Sequence, residues 1–173
     1  MKNPNITPTS VERPMRENDF IVSKTDAKGR ITYGNQIFIE FSGYTEKELL
    51  GSQQNIIRHP HMPRGLFKLL WDTIQAREEC NLYVKNMAKD GSYYWTFANI
   101  TPDIGPTGEL NGYTSVRRKP RAEAIQSLTE TYRRMLEIEQ QVGPRDACAA
   151  SLKYLTDLLA EKKVGYEEYI LTL

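Results

Sequence analysis

The sequence predicts an α+β fold, and three changes of pattern along the chain carry that reading. Residues 20–33 have extended character around a turn, residues 35–75 read as short helices followed by a longer one, and residues 80–116 return to a period of two. After Arg117-Arg118-Lys119-Pro120 the composition shifts to helix formers. The order is hairpin, helices, three-strand meander and helical tail.

Each element has its own signal. Phe20-Ile21-Val22 opens a strand, Asp26-Ala27-Lys28-Gly29 turns the chain, and Arg30-Ile31-Thr32-Tyr33 resumes it. Asn35 is placed to cap a helix with apolar Ile37, Phe38 and Phe41, and Gly43 ends it. Thr45 and Glu48 have capping-box spacing before Leu49-Leu50-Gly51. Pro60 and Pro63 keep residues 58–63 out of a regular helix. Leu66, Phe67, Leu70, Trp71 and Ile74 then recur at helical spacing. Leu82 and Val84 alternate with polar neighbours, Lys89-Asp90-Gly91 makes a hairpin turn, and residues 93–100 form a long aromatic and β-branched strand. Gly105 to Gly108 turns into a third strand, residues 110–116. Residues 122–141 and a second stretch to about Lys163 are amphipathic helices separated by Gly143-Pro144, and Tyr166 to Leu173 is a short apolar tail.

Composition narrows the function. The 173 residues suit one domain, or one domain with a helical appendage. With 23 basic and 22 acidic side chains the net charge is +1, which argues against a duplex nucleic-acid partner. No apolar run approaches the ~20 residues that span a bilayer, so no membrane insertion is expected. Residues 1–16 are polar and lack the core of a secretory signal. Cys80 and Cys148 make no framework, and a cytoplasmic location with reduced thiols follows as the expectation.

Several segments together resemble a PAS domain of the bacterial aerotaxis-receptor type. They are Asn35-Gln36-Ile37-Phe38, Phe41-Ser42-Gly43-Tyr44-Thr45, Asn55-Ile56-Ile57-Arg58-His59-Pro60 with Met62-Pro63, Val84-Lys85-Asn86, Lys89-Asp90-Gly91-Ser92-Tyr93-Tyr94-Trp95 and Gly112-Tyr113-Thr114-Ser115-Val116-Arg117. The resemblance covers residues 18–120. It implies a five-stranded antiparallel sheet whose concave face, closed by short helices, makes a cleft for non-covalent FAD. It also implies sensing of oxygen through redox state. Residues 1–18 are then a cap, 19–120 the sensor and 121–173 a helical extension. Two positions depart from the pattern: His61 stands where an acidic residue is common, and Cys80 where a tryptophan is common. The segment Gln53 to Ile57 lacks the photoreactive cysteine of light-oxygen-voltage domains.

Candidate cofactor contacts come from the residues and the resemblance together. Asn86 shares a strand face with Cys80, Leu82 and Val84, and an amide among apolar side chains needs a partner. That partner is either a ring edge or a turn. Arg58 and His59, in a proline-fixed loop before a helix, suit a phosphate or pyrophosphate; their alternative is a solvated loop. Trp71 either borders the cleft or packs in the core, and Asn35 either holds cofactor or caps its helix. Thr96, Ala98 and Thr114 match cleft-facing positions of related domains. Tyr83, Tyr93, Trp95, Phe97 and Tyr113 are then expected on the convex face, under the cap, the tail, a second copy or a partner protein. Arg117 to Arg121 reads as a solvated strand end. His59 and His61 have no further ligand at metal spacing. No nucleophile, base and acid set is recognisable, so catalysis is not expected. The expected roles are a flavin-dependent sensor acting through a protein partner or homodimer, or an interaction module with another ligand or none.

Overall fold

The computed structural model describes residues 6–173. The strands are β1 (Ile21–Asp26), β2 (Ile31–Gly34), β3 (Cys80–Met87), β4 (Tyr93–Ile104) and β5 (Leu110–Arg118). They form one antiparallel sheet in the order β2-β1-β5-β4-β3. Between β2 and β3 lie α1 (Gln36–Ser42), α2 (Glu46–Leu49), a 3₁₀ turn at Gln54–Ile57 and α3 (Arg64–Gln75). The tail is α4 (Ala122–Val142), α5 (Ala147–Lys162) and α6 (Tyr166–Thr172). The expected α+β, five-stranded antiparallel architecture with helical tail is present. Within the expected apolar tail, Tyr166 to Leu173, residues Tyr166–Thr172 form a helix; seven residues are too few for periodicity to decide.

Local chemistry sets the helix ends as expected. Asn35 Oδ1 accepts from Phe38 N, and Gly43 closes α1 in the left-handed region at φ 70°. Thr45 and Glu48 complete a capping box on α2. The N-terminal segment runs beside the start of β4, with Tyr93 N donating to Val11 O and Arg13 N to Tyr93 O. Arg13 also ties Asp90 to the C-terminal carbonyls of α1.

Two apolar clusters result. One gathers Ile21, Ile31, Phe38, Leu49 and Tyr94 beneath α1 and α2. The other runs from Leu66 and Ile74 of α3 through Leu82, Tyr83 and Phe97 into Leu128, Met135, Leu155 and Ile170 of the tail. The tail therefore wraps the β3 side of the sheet and packs onto α3. Trp95 stacks on Tyr132 with ring centroids 6.4 Å apart, and the Tyr132 hydroxyl donates to Tyr83 O at 3.0 Å. The tail covers the β3–β4 half of the convex face. On the β1–β2 half, Phe20 and Tyr33 remain about half exposed.

Candidate functional site

A cavity of about 510 Å³ lies between the concave face of the sheet, the 3₁₀ turn and α3. That is within the ~300–1,000 Å³ range of small-molecule sites. Strand alternation furnishes its apolar floor: Leu82 and Val84 from β3, Ala98 and Ile100 from β4. Phe67, Leu70, Trp71 and Ile74 of α3 form the roof.

Asn86 lines the cavity and is 4% exposed. Its Nδ2 donates to Thr96 Oγ1 at 3.2 Å, so Thr96 orients the amide without lining the cavity itself. A bridge between the Arg58 and Asn86 backbones brings the proline loop against the end of β3. Arg58 lines the cavity, with its guanidinium 3.7 Å above the Phe67 ring. Burial pulls its pKa down to about 10, although the Glu139 carboxylate works in the opposite direction.

Five of the thirteen expected roles need correction, and Thr96, which stands behind Asn86 instead of lining the cavity, is the first. Asn35 is outside the cavity: its Oδ1 accepts from Val22 N and Phe38 N, and its Nδ2 donates to Phe20 O, so the amide is consumed by the backbone. His59 is buried outside the cavity, where Nδ1 accepts from His61 N and the ring meets Tyr93 edge-on. Thr114 faces away from the cavity and donates to the Asp103 carboxylate at 2.8 Å. Tyr113 is on the concave side, edge-on to Trp71 at 5.7 Å, and lines the cavity. Trp71 and Ala98 are cavity residues. Tyr83, Trp95 and Phe97 lie beneath the tail, and Tyr93 lies beside the N-terminal segment under Lys85.

The larger correction concerns Arg117. Read as part of a solvated strand end, it is 5% exposed and points into the cavity. Its Nη2 donates to Ser23 Oγ at 3.2 Å, but Nη1 has no partner among the described residues. Burial lowers its pKa, and no carboxylate among the described residues compensates the charge. Ser115 Oγ, Tyr113 hydroxyl and Gln54 Nε2 are also buried without partners among the described residues, and all three residues line the same cavity. Unmet buried polar groups are costly unless something fills them. The pairing of Ala98 with Arg117 and of Ile100 with Ser115 supplies the signal that sequence reasoning lacked. Once Ala98 is placed inward, that register places both β5 residues inward.

Among the described residues, no group of three or more His, Cys, Asp or Glu side chains is placed to hold a metal ion. No described helix is long and apolar enough to cross a membrane.

Comparison with known proteins agrees with this geometry. The family model described as PAS fold matches residues 31–117. The aerotaxis receptor of Escherichia coli is 35% identical over 72% of the chain, which spans 24% of that receptor. The nitrogen fixation regulatory protein of Klebsiella pneumoniae is 33% identical over 56% of the chain, which spans 20% of it. A solved light-oxygen-voltage domain matches with TM-score 0.57 and 21% identity, covering 66% of this chain and 86% of that one. The dark structure of the Aureochrome1 light-oxygen-voltage domain matches with TM-score 0.55 and 19% identity, covering 65% of this chain and 82% of its own. The chain belongs to the PAS family. It is related to the aerotaxis receptor and the nitrogen fixation regulatory protein, spanning about a quarter or less of each.

Proposed function

We propose that the chain is a signalling sensor whose cavity holds a flavin non-covalently, FAD by similarity to the aerotaxis receptor, and reports redox state or oxygen to a protein partner. The single observation that carries this reading is the cluster of unpartnered polar atoms, from Gln54, Tyr113, Ser115 and Arg117, lining one cavity with an apolar floor. A flat heterocycle with acceptor atoms on its rim satisfies both features. Asn86 offers a donor and an acceptor to the ring edge. Arg58, at the end nearest α3, suits a phosphate.

Bound flavin supplies a reversible store of electrons. The residues that feel a change in its charge are Arg117 and Asn86. Arg118, next on β5, lies on the opposite face with its guanidinium 4.9 Å from the Phe97 ring. A shift of Arg117 is thereby felt on the convex side, where Phe20 and Tyr33 offer apolar surface to a partner. In this reading residues 1–18 are a cap, of which 1–5 lie outside the described residues, 19–120 the sensor and 121–173 an extension that carries the response, and the protein acts in the cytoplasm.

The test is spectroscopic. Purified protein should show the near-ultraviolet and blue absorption of flavin, with FAD released on denaturation. A colourless preparation that stays colourless after incubation with FAD or FMN contradicts the reading.

A further inference from the structure

The mouth of the cavity is built partly from the tail. Cys148, near the start of α5, lines it beside Arg64, Phe67 and Lys68 of α3. Glu139 of α4 reaches across to the first turn of α3. Its Oε1 accepts from Arg64 N at 2.6 Å, from Gly65 N at 3.2 Å and from the Ser151 hydroxyl at 2.6 Å. Ser151 is fully buried, and its Oγ also accepts from Gly65 N at 3.1 Å. A Cβ on Gly65 would stand 2.4 Å from Ser151 Oγ and 2.5 Å from Leu152 N, so α5 approaches α3 this closely only over a glycine.

Glu139 therefore sits at a junction. It fastens the tail to α3, and it is the carboxylate that acts on the Arg58 guanidinium in the cavity wall, against the like charge of Arg64. The mouth thus holds the guanidiniums of Arg58 and Arg64 and the ammonium of Lys68, which is paired with Asp72 on its own helix; the carboxylate that acts on Arg58 belongs to the tail.

We propose that the tail is a latch on the cavity mouth and that Glu139 sets its response to charge: the closed tail and a ligand's anionic arm oppose each other. The ring's place in the cavity rests on the flavin reading; the latch does not. A phosphate brought to Arg58 and Arg64 shares them with a carboxylate that is already committed to three hydrogen bonds. Like charges in a partly enclosed site repel. If Glu139 withdraws, the tail loses those bonds and the mouth loses the wall that Cys148 provides. By linkage the effect is reciprocal: a ligand that loosens the tail binds more tightly to a chain whose latch is weakened. A phosphorylated ligand is then the natural trigger for moving α4 and α5, while the ring alone leaves them docked.

Riboflavin and FMN test the charge response, because they share the ring and differ by one terminal phosphate. Equilibrium dialysis is done with the full chain and with Glu139→Gln, which keeps an acceptor and removes the charge. The expected result is a gain of about 5-fold or more in the FMN-to-riboflavin affinity ratio for Glu139→Gln, within the usual range of coupling between sites. An unchanged ratio overturns the proposal.

A second arm needs no flavin. Maleimide labelling reports Cys148, because Cys80 is buried and its thiol is pushed up to about 12 by burial. Glu139→Ala, and inorganic pyrophosphate added to the unmodified chain, should each raise the labelling rate about 5-fold relative to sodium chloride at equal ionic strength. Rates that stay at the control level overturn the latch. If neither flavin binds, the flavin reading fails by itself, and the labelling result still decides the latch.

Discussion

Asn86 and Thr96 are diagonal neighbours on one face of the β3–β4 ladder, where Asn86 pairs with Tyr94 and Thr96 with Val84, and the Asn86 amide donates to the Thr96 hydroxyl at 3.2 Å inside the core. Thr96 Oγ1 also lies 3.5 Å from Val84 O, so the hydroxyl holds the amide from behind while Asn86 faces the cavity. Replacing the hydroxyl by a methyl leaves volume nearly unchanged and frees the amide to rotate. Thr96→Val should cost about 1–3 kcal/mol in urea unfolding, the usual range for a buried donor left unmatched. Flavin affinity should fall by about 5-fold, equivalent to about 1 kcal/mol. Full affinity in Thr96→Val would detach Asn86 from ligand recognition.

Arg117 should behave oppositely in stability and in binding. Arg117 is a buried cation whose Nη1 has no partner, and whose charge no carboxylate offsets, among the described residues. Arg117→Met keeps length and removes the charge, so the apo chain should gain about 1 kcal/mol or more. Flavin binding should weaken at least 5-fold in the same variant, measured by dialysis. Such crossing effects mark residues kept for function at the expense of stability. A variant that is both less stable and equally competent would place Arg117 among purely structural residues.

Acid should loosen the turn between β3 and β4 and the start of α2. Asp90 is held down to about 2, first by the Ser92 hydroxyl, then by Ser92 N, with Arg13 adding to the effect. Glu48 is held down to about 2, first by Lys89 and then by Thr45 N and its hydroxyl. Both folded-state values are depressed, so the stabilisation is present above the unfolded values of 3.8 and 4.5 and is lost as pH falls through about 2. Urea midpoints should decline between pH 5 and about 2. Asp90→Asn combined with Glu48→Gln should flatten that slope; an unchanged slope would contradict the assignment.

Tyr132 joins the tail to the sheet through one hydroxyl. It is 3% exposed and donates to Tyr83 O at 3.0 Å. Tyr132→Phe should cost about 1 kcal/mol in unfolding free energy. Hydrogen exchange of α4 amides should quicken more than that of β1. Equal changes in both would mean that the tail and sheet open only together.

Much of the fold was legible because local signals agreed. Asn35, Gly43, Thr45 and Glu48 mark helix ends by chemistry that does not depend on tertiary context. The alternation of Leu82, Val84 and Asn86 identified the inner face of β3 from residues alone. On β5 the two parities are nearly matched: Tyr113, Ser115 and Arg117 on one, Thr114, Val116 and Arg118 on the other. Neither set is plainly apolar, and the register shifts between Asp103 and Ile104, opposite Gly112 and Leu110 at the start of β5. That parity leaves Tyr113 ambiguous, whereas the expectation for Thr114 rests on the family resemblance and that for Arg117 on the basic run it begins. His59 and Asn35 failed differently. A polar residue near a cleft also has backbone groups to satisfy, and spacing does not decide between backbone and ligand. Glu139 was invisible because its partner lies 75 residues away in sequence.

The most direct test of the central claim is flavin titration of the unmodified chain beside Ala98→Leu. Ala98 is a small, buried part of the cavity floor. A larger side chain there fills the space meant for the ring while burying more apolar surface. The unmodified chain should quench flavin fluorescence on saturable binding, and Ala98→Leu should bind at least 10-fold more weakly while remaining folded, equivalent to about 1.4 kcal/mol. Equal binding by both chains, or none by the unmodified chain, would contradict the claim that this cavity is the flavin site.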